Sequence, residues 1–191
     1  MKLLWAAFLT LAVFFPSRVL SAGDDRLLIS QGQKLERSRD IPAALAFYKE
    51  SLKKELKPAT RRAFLNRCSM LERDSAKKLA FLEQALLVAG ADPTERYRTF
   101  LLLGYLHHRT APDKALGFFL NFENERKIAP SLVCCGCFEA GRIMEAKKNK
   151  IKALELYRKA LAAGKSVPYR FDCSAQEKAV SRLEKELEKS K

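Results

Sequence analysis

The sequence predicts an all-α protein in which pairs of short helices are repeated along the chain. Apolar residues recur at spacings of three and four, as in residues 153–161, which is the period of an amphipathic helix. Glycine, proline and aspartate cluster between such runs, as in residues 90–93, where turns are expected. No run shows the alternating, β-branched character of a strand. Together these observations favour helices joined by short turns.

The first 22 residues differ from the rest and match the layout of a secretory signal peptide. Lys2 precedes an apolar run from Leu3 to Phe15, and Leu20-Ser21-Ala22 supplies the small residues of a cleavage site. This run is short against the roughly 20 apolar residues that a membrane-spanning helix needs. We therefore expect a mature chain that begins at Gly23, spans no membrane and is periplasmic or secreted. An uncleaved membrane anchor is the alternative.

The chain is strongly basic. It has 36 Lys and Arg against 22 Asp and Glu, which gives a formal net charge of +14. Such an excess raises the affinity for acidic proteins, acidic polysaccharide, phospholipid headgroups or nucleic acid. The net charge alone does not indicate which of these partners the protein binds.

Four units of similar pattern follow one another. In the first, Gly32 is followed twelve residues later by Ala44, and Tyr48 comes four residues after that. The last unit repeats these intervals at residues 141, 153 and 157, and the third places its alanine eleven residues after its glycine. The second unit departs most, because Asn66 and Lys78 replace the glycine and the alanine. The prolines that close the units are Pro58, Pro93, Pro130 and Pro168.

These intervals resemble the tetratricopeptide repeat, whose unit is a pair of antiparallel helices of 34 residues. The resemblance implies a right-handed superhelical solenoid of four helix-turn-helix repeats within residues 23–168, followed by a C-terminal capping helix within residues 169–191. The predicted units are 26–58, 60–93, 97–130 and 131–168. Ser174 and Glu177 have the spacing of a capping box at the start of the last helix. A terminal helix covers the apolar face that stacked repeats leave open.

The resemblance also implies that the first helix of each pair lines a concave groove. The predicted groove residues are Gln33, Arg37, Arg67, Tyr105, His108, Arg109 and Arg142. Arginine and tyrosine are typical anchors of binding energy. We expect a non-enzymatic scaffold or adaptor that binds an acidic protein segment there, without cofactor or metal; nucleic acid is not expected. The alternative is an envelope protein that binds anionic polysaccharide or lipid headgroups.

The five cysteines allow a third hypothesis, a thiol redox protein that uses Cys134 and Cys137. Cys134 and Cys137 have the C-x-x-C spacing of thiol oxidoreductases, although the strand that precedes a thioredoxin-like site is missing. If the terminal helix stacks beside the first helix of the fourth unit, as the repeat geometry implies, Cys173 approaches Cys134 or Cys135. A structural disulfide is then expected, with Cys68 reduced.

Overall fold

The computed structural model describes residues 22–90, 92–124, 127–168 and 171–189, and within these residues the protein consists of α-helices joined by turns, with no strand. The all-α prediction is confirmed. The predicted signal peptide lies outside these ranges except for Ala22, at which the first helix begins. The helices within the described ranges are α1 (Ala22–Arg37), α2 (Ile41–Ser51), α3 (Pro58–Leu71), α4 (Ser75–Leu87), α5 (Pro93–His107), α6 (Pro112–Leu120), α7 (Pro130–Ala146), α8 (Lys150–Lys165) and α9 (Ser174–Glu188).

The helices pack in chain order, and the odd-numbered ones also lie beside one another. Each even-numbered helix packs against the odd-numbered helices before and after it, while α3 contacts α5 and α5 contacts α7. Side chains join the two ends of this row: Asp25 of α1 accepts a hydrogen bond from Thr60 of α3, and Glu145 of α7 pairs with Arg182 of α9. The odd-numbered helices therefore form one layer, α1–α3–α5–α7–α9, braced by the even-numbered helices.

Proline and small polar residues determine where several helices begin. The prolines Pro58, Pro93 and Pro130 close units in the repeat pattern, and each is the first residue of the next odd-numbered helix. Proline suits this position because the first N–H groups of a helix have no partner within it. Asp74 and Asn149 cap α4 and α8 by accepting the backbone N–H three residues ahead.

The predicted capping box at the last helix is wrong. Cys173, not Ser174, occupies the N-cap position of α9, and no side chain at that position bonds to the helix. The carboxylate of Asp172 instead accepts the backbone N–H of Ser174 at 2.9 Å. Because Ser174 already has helical geometry, its hydroxyl is not placed to cap the first turn.

Small residues at one position of the odd-numbered helices accept an aromatic ring from the following helix. A Cβ atom on any of three glycines would overlap that ring, so a larger residue does not fit without movement. The rings are buried, which makes these contacts part of the core. The pairs are Gly32 with Tyr48, Gly104 with Phe119, and Gly141 with Tyr157.

The second unit solves the same packing problem in a different way. Asn66 stands at the glycine position and is buried, and its amide nitrogen donates to the backbone oxygen of Glu95 in α5 at 3.1 Å. Its amide oxygen accepts a hydrogen bond from the Thr99 hydroxyl at 2.9 Å. The departure from the repeat pattern at this position therefore links α3 to α5.

Replacing Asn66 by glycine brings the second unit closer to the repeat pattern, yet we expect it to destabilise the protein. The change removes the bonds to Glu95 and Thr99, at a net loss of about 1–2 kcal/mol in the free energy of unfolding. Urea unfolding of the single variants, of Thr99→Val and of the double variant measures the coupling. Additive losses, or a gain in stability from Asn66→Gly, would contradict the network.

Candidate functional site

The predicted groove residues lie on the odd-numbered helices or, for His108 and Arg109, just beyond the C-terminal end of α5. Arg37, Tyr105, Arg109 and Arg142 are exposed, with 46% of Tyr105 accessible to solvent. The side chains of Gln33, Arg67 and His108 are half-buried. We call this surface the odd-helix face and define it by Arg37, Met70, Tyr105, Arg109, Arg142 and Lys178, all of which are exposed.

Arg67 is already engaged within the protein. Its guanidinium lies 3.2 Å from the carboxylate of Glu36, which also accepts a hydrogen bond from the Tyr48 hydroxyl at 2.8 Å. Burial and the bond to Glu36 raise the pKa of Tyr48, so the hydroxyl remains a donor. This three-residue bridge joins α1, α2 and α3, and Arg67 therefore has a structural role.

The same bridge recurs at the other end of the chain. The Tyr157 hydroxyl of α8 donates to Glu145 of α7 at 2.9 Å, and Arg182 of α9 pairs with that carboxylate through two nitrogens. Hydrogen bonds from Arg182 and Tyr157 lower the pKa of Glu145. In both bridges the tyrosine follows the glutamate by twelve residues. The bridge holds α9 against α7 and α8.

Tyr105 and Arg142 are the predicted groove residues that the structure brings near each other. Burial raises the pKa of Tyr105 to about 12, and the charges of Glu139 and Arg142 act on its hydroxyl from α7. Arg142 itself pairs with Glu139 on its own helix at 3.1 Å. His108 lies with its ring edge against Phe119, where it supports the packing.

A basic cleft on this face lies between α7 and α9 and has a volume of about 790 Å³. Three cations line it: Arg142 from α7, and Lys178 and Arg182 from α9. Its apolar wall includes Phe138 and Tyr157, whose ring centroids lie 5.3 Å apart. Glu145 is the one carboxylate among its lining residues, and the bridge described above already engages it.

Lys178 is the cation in the cleft that is best placed to meet a ligand. Its side chain is exposed and forms no ion pair with any residue in the described ranges. By contrast, Arg182 pairs with Glu145 and Glu186. An exposed, unpaired ammonium keeps its full attraction for an anion, whereas a paired one is partly neutralised. Sequence reasoning missed Lys178 and Arg182 because nothing local to the last helix indicates that these side chains line a cleft with α7.

The cysteines near the start of α7 and α9 form a second cluster. A methyl group placed on Gly164 of α8 would lie 2.6 Å from the Cys173 sulfur and 3.2 Å from the Cys134 sulfur, so both sulfurs border the same spot. The Gln176 amide nitrogen donates to the Cys134 sulfur at 3.3 Å. Cys135 is instead near Tyr105 and Glu139. All five cysteines are free thiols in the structure. Of the two predicted partners of Cys173, which are Cys134 and Cys135, Cys134 is the one whose sulfur lies near the Cys173 sulfur.

The C-x-x-C pair does not have the surroundings of a catalytic thiol. Cys134 and Cys137 are both fully buried on α7, and burial raises their pKa values to about 12 and about 11. Reactive cysteines are partly exposed and have lowered pKa values. Within the described residues, no group of three or more His, Cys, Asp or Glu side chains is arranged to hold a metal ion.

Comparison with known proteins adds no family or function. No protein-family model, curated protein or solved structure matches this chain. In the part of the chain that the structure describes, no helix combines the length and the apolar composition needed to cross a membrane.

Proposed function

We propose that this protein is an exported, non-catalytic scaffold of the tetratricopeptide type, which binds an acidic segment of a partner protein on its odd-helix face. The observation that carries the proposal is the basic cleft between α7 and α9. There Arg142, Lys178 and Arg182 meet beside the rings of Phe138 and Tyr157. Cations next to an apolar wall suit a peptide that carries both carboxylates and apolar groups.

The net charge supports an anionic ligand, and the shape of the cleft favours a protein segment. The charge of +14 steers anions of every kind toward the chain. A cleft with an apolar wall discriminates further, because polysaccharide and lipid headgroups offer little apolar surface to bury there. For this reason we place the anionic envelope surface second.

Neutralising the cations of the odd-helix face should weaken the binding of acidic peptides about tenfold or more. The variant carries glutamine at Arg109, Arg142 and Lys178. Arg67 is left intact because its loss would remove the cation that pairs with the carboxylate of Glu36. Exposed ion pairs contribute about 0.2–1 kcal/mol each, and about 1.4 kcal/mol corresponds to a tenfold change in affinity. The probe is the most enriched peptide from a random display library selected on the wild-type protein, measured by fluorescence anisotropy.

A matched control replaces Lys54, Lys77 and Lys114 by glutamine. These lysines are exposed, lie outside the odd-numbered helices and pair with no described residue, so the control removes the same net charge elsewhere. We expect it to keep affinity within about twofold. Equal losses from both variants would show that overall charge drives binding, as the envelope-surface alternative requires. A selection that enriches no acidic peptides would contradict the proposal.

Export rests on the signal-peptide layout of residues 1–22. The mature protein is expected to begin at Gly23, which intact-mass analysis of the protein from its host can check. A mass that retains these residues would contradict cleavage.

A further inference from the structure

The three positions of the tyrosine–glutamate–arginine bridge carry different residues in the second unit. Glu36 and Glu145 come four residues after the small position of their helix, and Met70 is the corresponding residue after Asn66. Tyr48 and Tyr157 come four residues after the alanine position, and Leu82 is the corresponding residue after Lys78. The arginine position, next to the small residue of the following odd-numbered helix, is Tyr105. The second unit thus replaces a polar bridge by Met70, Leu82 and Tyr105.

In the second unit these three positions line an apolar pocket instead of forming a polar bridge. Met70, Leu82 and Tyr105 line a cavity of about 400 Å³ between α3, α4 and α5, together with Leu102 and Leu106. Half of Met70 is accessible to solvent. Methionine adapts its shape readily and is common at binding surfaces. The volume lies at the lower end of the range for ligand pockets, which suits a single side chain.

Positive charge at and near the pocket indicates the chemistry of its ligand. Lys78 is among the lining residues. Within α3, Arg67 precedes Met70 by three residues and so lies one turn away from that wall of the pocket. Arg109 follows Tyr105 by four residues and lies just beyond the end of α5. Arg67 forms an ion pair with Glu36, whereas Arg109 forms no ion pair with a described residue. An apolar side chain in the pocket would therefore lie beside positive charge.

We infer that this pocket is the anchor site of the partner segment: it receives one bulky apolar side chain, such as leucine, methionine or phenylalanine, from a peptide whose neighbouring residues are acidic. The inference rests on the proposed function and adds the recognition motif. Apolar burial supplies affinity that surface charge pairs alone lack, and the requirement for both groups supplies specificity.

The test uses peptides from the random display library selected on the full-length mature protein. We expect the enriched sequences to combine one bulky apolar residue with acidic residues on either side. Replacing that residue by glycine in a synthetic copy should weaken binding more than tenfold. Acidic peptides that bind equally well without an apolar residue would overturn the anchor and leave the proposed function standing. Enrichment of apolar peptides without acidic residues, or of no peptide, would overturn both.

A variant of the pocket locates the site. Met70→Glu places a carboxylate at its mouth, as the first and fourth units have, and should weaken binding of the selected peptide more than tenfold. The exposure of Met70 makes the change tolerable for folding, which a thermal melt checks. Ile151→Glu is the matched control, because Ile151 is 75% exposed at the start of α8 and undergoes the same change; it should stay within twofold. Unchanged affinity in Met70→Glu, or equal losses in both variants, would overturn the assignment to this pocket.

Discussion

Replacing Gly141 by leucine is expected to lower the free energy of unfolding by about 1–2 kcal/mol. A Cβ atom at this position would lie 2.7 Å from two ring carbons of Tyr157. The ring cannot move away freely, because it is buried and its hydroxyl is bonded to Glu145. Overpacking of this kind costs about 1–3 kcal/mol or more, against about 1 kcal/mol gained in helix propensity. A decrease of roughly 2–8 °C in the melting temperature should follow.

Gly117 provides the control for this variant. It lies within α6, and a Cβ atom there would meet nothing within 4 Å. Gly117→Leu should therefore leave stability unchanged or raise it by up to about 1 kcal/mol, through helix propensity alone. The two variants are compared by thermal and urea unfolding. Similar midpoints would contradict the close approach of α7 and α8 at Gly141.

Oxidation is expected to join Cys134 to Cys173 and to stabilise the C-terminal end by about 4 kcal/mol, on the chain-entropy model for a loop of this length. With glutathione disulfide as oxidant, two thiols lose two protons and two electrons, and two glutathione thiols are released. Because burial raises the pKa of Cys134 to about 12, the thiolate fraction is small and oxidation should be faster at pH 9 than at pH 7. Peptide mapping without reductant identifies the bond.

Serine variants separate this pairing from the alternatives. Cys173→Ser should abolish both the cross-link and the gain in stability, whereas Cys135→Ser should keep them, because Cys135 lies near Tyr105 rather than Cys173. Limited proteolysis should cut α9 later in the oxidised protein than in the reduced one. A bond that includes Cys135 or Cys137, or no bond after complete exposure to glutathione disulfide, would contradict the pairing.

The sequence was sufficient to predict the helices because their signals are local. Spacings of three and four, and breaks such as residues 90–93, depend on neighbours within one or two turns. The glycines Gly32, Gly104 and Gly141 were also recognisable, since each lies inside a helical pattern eleven or twelve residues before an alanine. Glycine is unfavourable inside a helix unless packing requires it.

Contacts between distant residues could not be predicted in this way. Nothing near Arg67 in the chain reveals that it pairs with Glu36, 31 residues away. Lys178 was missed because a charged residue on a terminal helix resembles any solvated residue until the facing helix is known. Asn66 looked like a mismatch to the repeat pattern, since its partners Glu95 and Thr99 belong to the next unit.

The most direct test of the central claim is a crystal structure of the protein with the selected peptide bound. The peptide should lie along α3, α5, α7 and α9, with its apolar side chain beside Met70 and Tyr105 and its carboxylates near Arg109, Arg142 and Lys178. A peptide bound to the even-numbered helices, or one that contacts none of these cations, would contradict the claim that the odd-helix face binds an acidic partner.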